Sequence, residues 1–203
     1  MGKLVSALVD RAIESAGLGD LLTARRRDAR LPDDLAARLA SADLLALGAL
    51  ADCVRQEEVG DEVRVYTGEA PVEDASALIV ISAGEGEPTG LDLLRRVAVA
   101  RVLGPRGVSV RVDWAGCGLE LAQITLGFGA NELSGRIANK RGLPLAPGEL
   151  AGVGKKSRRE LADLVKRKEL AGYVRRAGRV PVFIDALGVA EITDERALAQ
   201  ESA

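Results

Sequence analysis

The sequence contains no histidine, and its only two cysteines, Cys53 and Cys117, stand far apart. Zinc and non-haem iron sites, Ser/His/Asp triads and Cys/His nucleophile pairs take their ligand lone pairs or near-neutral base from imidazole and thiolate. None of them can be assembled within this chain. Iron–sulfur clusters need several thiolates, which two distant cysteines do not supply, and such cysteines read as reduced and buried. Aromatic residues are scarce: Tyr66, Trp114, Phe128, Tyr173 and Phe183 are all there are, so the core must be aliphatic. No stretch approaches the roughly 20 apolar residues of a membrane span. The apolar run from Met1 to Leu8 meets Asp10 and Arg11 too early for a signal peptide. These absences point to a soluble, cytoplasmic protein with no metal and no cofactor.

What is present is a chain of 203 residues, 47% apolar and 29% charged, within the range of one ordinary domain. Its net charge of −2 is unevenly spread. Lys155, Lys156, Arg158, Arg159, Lys166, Arg167, Lys168, Arg175, Arg176 and Arg179 face only Glu160, Asp163 and Glu169 in the same stretch. A basic helix of this kind could meet phosphate or an acidic partner, or could be a solvated helix face. Tyr173 is its only aromatic.

Apolar periodicity predicts a first helix through Leu4, Val5, Leu8, Val9, Ala12 and Ile13, stopped at Gly17. A basic linker over Thr23 to Arg30 follows, then a short helix near Asp34 to Ala40. A longer helix runs from about Asp43 to Glu57, with Ser41 as its candidate N-cap and Leu44, Leu47, Leu50, Ala51 and Val54 turned inward. Val63 to Tyr66 reads as a short strand and Ala77 to Ile81 as one buried on both faces. Thr89 and Asp92 have capping-box spacing and open a helix with Leu91, Leu94, Ala98 and Val102 on one side, ended by Gly104 and Pro105. Val108 to Trp114 alternates strictly: Val108, Val110, Val112 and Trp114 on one face, Ser109, Arg111 and Asp113 on the other. A helix over about Leu119 to Phe128 and a strand over Leu133 to Ile137 follow. This alternation is the grammar of a parallel α/β fold. After a loop-like stretch to Gly154 comes the basic helix, which Gly178 should end. The expected organisation is an N-terminal helical segment (1–58) packed on an α/β core (59–140), with a C-terminal loop, basic helix and tail (141–203).

Several segments resemble the radical SAM enzymes of the futalosine route to menaquinone, aminofutalosine synthase and dehypoxanthine futalosine cyclase, with the deazaflavin-forming FO synthase subunits as cousins. They are Asp43 to Ala51 with Gly60 to Val63, Pro88 to Arg101, Gly118 to Asn131 continuing to Gly135, and Ala177 to Val182. The stretch from Gly118 is the most specific. In that family the first strand leads into a Cys-x-x-x-Cys-x-x-Cys loop that ligates a 4Fe-4S cluster. Here the same strand leads into Thr67 to Ala75, which has no cysteine. The resemblance then resumes near the family's sixth strand, which implies an internal deletion of the second to fifth. In a closed eight-stranded barrel the first strand neighbours the eighth, so strands six, seven, eight and one form a contiguous arc. The resemblance therefore implies a partial (β/α) barrel or a rearranged small parallel or mixed sheet. Open edges would be covered or paired, in a homodimer or a heteromer with a full-length radical SAM homologue.

Within that arc, Ser109, Arg111 and Asp113 would line the former lumen, with Asp113 at the functional, C-terminal end of its strand. Asn131, Glu132 and Ser134 sit where the last strand would meet the pocket. Ser109, Arg111, Asp113, Asn131 and Ser134 are thus the candidate ligand-binding residues, for a small molecule. The leading expectation is a catalytically degenerate relative that binds or assists rather than catalyses. A second is a metal-free enzyme on a nucleoside or isoprenoid-type metabolite, with Asp113, Glu120 or Glu132 as general acid or base. A third makes the basic helix a binder of nucleic acid or an acidic protein.

Overall fold

A computed structural model of the chain describes residues 2–27, 34–66, 78–81, 89–135, 167–184 and 190–191. Its centre is a six-stranded sheet in the order β2-β3-β4-β1-β5-β6. The strands are β1 (Glu62–Tyr66), β2 (Leu78–Ile81), β3 (Ser109–Asp113), β4 (Glu132–Ser134), β5 (Val180–Ile184) and β6 (Ala190–Glu191). The first five run parallel; β6 is antiparallel on β5. The fold is α/β, and the run β2-β3-β4-β1 is the arc that the resemblance implies. The sheet is not closed. β5 lies beside β1, on the side away from β4, where a full barrel would place its second strand.

Helices α1 (Gly2–Ser15), α2 (Gly19–Arg26), α3 (Leu35–Ser41), α4 (Leu44–Val59), α5 (Gly90–Leu103), α6 (Trp114–Cys117), α7 (Leu119–Thr125) and α8 (Arg167–Arg176) complete the described elements, with a 3-10 turn over Leu126–Phe128. The core is mostly aliphatic, with Trp114, Phe128 and Phe183 as its aromatic members. Val63, Val65, Ile81, Val110, Val112, Leu133 and Phe183 from one sheet face join Leu47, Leu50, Ala51 and Val54 of α4 and Leu93, Leu94, Val97, Ala98 and Val102 of α5. Tyr66, Val182 and Ile184 form a separate cluster; the pleat places them on the opposite face. Among the described residues no helix is long and apolar enough to cross a membrane.

Local chemistry explains several helix ends. Thr89 and Asp92 form the full reciprocal capping box on α5, and Gly17 and Gly178 take positive φ just after α1 and α8. Five details differ from the sequence reading. Thr23 to Arg26 belong to helix α2 rather than to a linker, because Leu18, Leu21 and Leu22 enter the core while Arg25 and Arg26 pair with Glu58 and Glu57 of α4. The N-cap of α4 is Asp43, whose carboxylate accepts from the Ala46 amide at 2.9 Å; the Ser41 hydroxyl turns back to carbonyls of its own helix. Leu91 is exposed, and Leu93 and Val97 take the inward face of α5. Trp114 opens α6 instead of ending β3. Finally, Val180–Ile184 is a strand, read above only as part of a resemblance. The connection 67–77 and residues 136–166, which include Ile137, Lys155, Lys156, Arg158, Arg159 and Lys166, lie outside the described residues.

Candidate functional site

Parallel strands in register align their side chains in rows across the sheet. On the face opposite α4 and α5, one row runs Val80, Arg111, Glu132, Arg64, Val182. The next row, at the C-terminal ends of the strands, runs Asp113, Ser134, Tyr66, Ile184. Ligands of parallel α/β sheets and barrels sit at that end.

Glu132 is the centre of the first row and is fully buried, at 0% exposure. Its Oε2 receives Arg111 Nε at 2.9 Å and lies 2.8 Å from Arg111 Nη2. Its Oε1 receives Arg64 Nη1 at 3.5 Å. Arg111 itself is buried, with its guanidinium carbon 4.1 Å from the centre of the Tyr66 ring. Burial pushes the Tyr66 phenol above its usual pKa and the Glu132 charge adds to this, while Arg111 and Arg64 oppose it. Arg64 alone of the row's charged groups is open to solvent, its side chain 51% exposed.

The structure brings five of the sequence-predicted residues to this face: Ser109, Arg111, Asp113, Glu132 and Ser134. Ser109 is buried one row towards the strand N-termini, and Asp113 and Ser134 are half-buried at the C-terminal end. Asn131 points the other way. Its Oδ1 accepts from Arg101 Nη2 at 2.6 Å and from the Val110 amide at 2.8 Å. Arg101 is fully buried, also donates to the carbonyls of Gly129 and Val108, and is lowered by burial to about 10. Glu120 is exposed on α7 and receives the Tyr173 hydroxyl at 3.5 Å, among the helices rather than with Glu132.

Of the basic stretch, Arg175, Arg176 and Arg179 can be followed. Arg176 stacks on Tyr173, and Arg179 is bound to Asp52 at 2.6 and 2.8 Å. Leu170, Ala171 and Val174 anchor α8 in the core. Arg167 and Lys168 lie in its first turn. The sequence reading missed Arg64 and Tyr66. Their signal was the alternation within β1, where Val63 and Val65 go to the core and Glu62, Arg64 and Tyr66 to the other face.

The cysteines allow a test of the cluster that the resemblance implies. Cys53 lies on α4 and Cys117 on α6, both free and half-buried. Burial, then the charges of Asp52, Asp10 and Glu57, raise the Cys53 thiol. Burial and the Asp113 charge push Cys117 up to about 11. Two separated thiols, each held above its usual pKa, do not fit a cluster that needs several thiolates.

No family profile matches the chain. Over 104 residues, 49% of the chain and 24% of the relative, it is 34% identical to aminodeoxyfutalosine synthase of Thermus thermophilus. Over 109 residues, 53% of the chain and 26% of the relative, it is 30% identical to 5-amino-6-(D-ribitylamino)uracil–L-tyrosine 4-hydroxyphenyl transferase 2 of Methanosarcina mazei. These matches support a relationship to radical SAM enzymes. The matched part spans about a quarter of each relative's length.

Proposed function

We propose that this chain is a catalytically degenerate relative of radical SAM enzymes that acts as a binding or accessory protein, connected with menaquinone biosynthesis by the futalosine route. The observation that carries this reading is a contrast within one sheet. The donors for a cluster come down to two separated, half-buried thiols, while the polar face keeps an ordered row with a buried carboxylate clamped by arginine. Such a row holds and orients a ligand at the strand ends without redox chemistry. Any heteromer made through an open sheet edge would use β2 or β6, since β5 occupies the far side of β1.

Anaerobic reconstitution of the purified chain with iron and sulfide tests the reading. No absorbance in the cluster bands and no cleavage of S-adenosylmethionine are expected; a SAM-cleaving cluster would sink the proposal. A thermal-shift series with aminodeoxyfutalosine, 5-amino-6-(D-ribitylamino)uracil and L-tyrosine, compounds taken from the relatives' names, checks its binding half. Stabilisation by one of them is expected, and no stabilisation by any counts against the link to these pathways.

A further inference from the structure

We propose that Arg64 is the anchor for the carboxylate of a small organic acid bound on the polar face of the sheet. This rests on the reading of that face as a binding surface, and deepens it by naming the ligand class.

Three observations carry it. First, Glu132 is neutralised from its other side. Arg111 approaches the same carboxylate oxygen with two nitrogens at 2.8–2.9 Å, whereas Arg64 stands off at 3.5 Å from the second oxygen. The row therefore carries two guanidiniums for one carboxylate. Secondly, accessibility is divided between the two arginines. Arg111 is buried, engaged by Glu132 and stacked on Tyr66, and cannot turn to a ligand. The Arg64 side chain is half-exposed, and its one polar contact among the described residues is the long one to Glu132. Most of its five N–H donors remain for a planar, two-oxygen acceptor, the geometry that a guanidinium fork matches best.

Thirdly, Arg64 has neighbours suited to the rest of an organic acid. Val180, on the adjoining strand one row back, is an exposed apolar side chain. The Tyr66 and Ser134 positions lie one row forward. Glu62, two residues before Arg64 on β1, carries the nearest negative charge along that strand and forms no ion pair with Arg64 among the described residues. Glu132 acts as the positioning residue: it holds the guanidinium near the sheet, while its own charge is already spent on Arg111.

The test uses the full chain, with benzoate as probe and benzamide as its neutral isostere, followed by two-dimensional amide and arginine Nε–Hε NMR. Benzoate is expected to shift Arg64 and the amides of β1 and β4 saturably, and benzamide to leave them unmoved at the same concentrations. Arg64→Gln, at an exposed position, should keep the native spectrum and weaken benzoate by about tenfold or more, the size of a lost charge-assisted hydrogen bond. Arg64→Lys should recover part of the affinity. Benzamide binding as tightly as benzoate, Arg64→Gln binding within about twofold of the parent, or shifts centred on α8 would each overturn the subsite. Those outcomes leave the reconstitution result untouched, so loss of cluster chemistry and the carboxylate subsite stand or fall separately.

Discussion

Glu132 shows how a single buried charge organises the polar face. A carboxylate with no exposure is tolerable only because Arg111 lies against it at ion-pair distance, and Arg111, itself buried, needs Glu132 for the same reason. Glu132→Gln keeps the shape and removes the charge that lies 2.8 Å from the buried Arg111 guanidinium. Loss of one partner of a buried pair typically costs about 3–5 kcal/mol, so urea unfolding of this variant should show a destabilisation of that size. The double variant Arg111→Met with Glu132→Leu removes both charges and should recover most of the loss. A fall below about 1 kcal/mol for Glu132→Gln would mean that solvent reaches the pair. The partner of Arg111 also marks a limit of reading one strand at a time. Alternation in residues 108–114 correctly put Arg111 on the non-core face, but its partner comes from β4, across a register that no single strand encodes. For the same reason Asn131 was grouped with the site, when it is spent on Arg101 and the Val110 amide behind the sheet.

At the scale of elements, the segments that carry the resemblance fit into one another. Gly48 of α4 faces the Phe128 ring so closely that a Cβ built there would lie 2.6 Å from the ring. Gly129, at φ +98°, sits where a Cβ would lie 2.8 Å from that of Arg101, and its carbonyl accepts from Arg101 at 2.8 Å. The stretch 43–51 and the stretch 118–131 thus meet across the core, with Arg101 of α5 completing the contact. The segments that carry the resemblance are thus joined in this chain by packing and backbone geometry, which bears on fold and not on chemistry. Gly48→Ala should destabilise by about 1–3 kcal/mol through overpacking. Combining it with Phe128→Leu should restore part of that loss, and a double-mutant cycle on chemical denaturation reads the coupling. Strictly additive effects would show that the ring escapes elsewhere. The capping box of α5 was legible because it is local, two residues three apart. Helix α2 was not, because its stability comes from Leu21 and Leu22 in a distant core and from arginines paired with α4.

For the molecule as a whole, the decisive feature is β5. The order of β2, β3, β4 and β1 matches the arc that the resemblance implies, but that arc alone would leave Val63 and Val65 on a bare strand edge. β5 pairs with β1 along five residues, Glu62 to Tyr66 against Val180 to Ile184. This adds Phe183 to the core face and Val182 and Ile184 to the polar face. The segment was hard to read as a strand because Pro181 lies inside it, and proline lowers the expectation of a strand. Beside β1 the ladder tolerates it. An unpaired, apolar, parallel-sheet edge is a template for another chain. Removing residues 180–203 should therefore make the chain self-associate more than its parent, because β1 would then expose its N–H and C=O groups with two core valines between them. Size-exclusion chromatography with light scattering on the parent and the truncated chain checks this at matched concentrations. Higher-order species are expected only after truncation, whereas two substitutions on the polar face, Val182→Thr and Ile184→Thr, should weaken the strand without baring the edge. A truncated chain with the same oligomeric state as its parent would show that β1 needs no partner on that side, and the sheet would then be held by the β2-β3-β4-β1 arc alone.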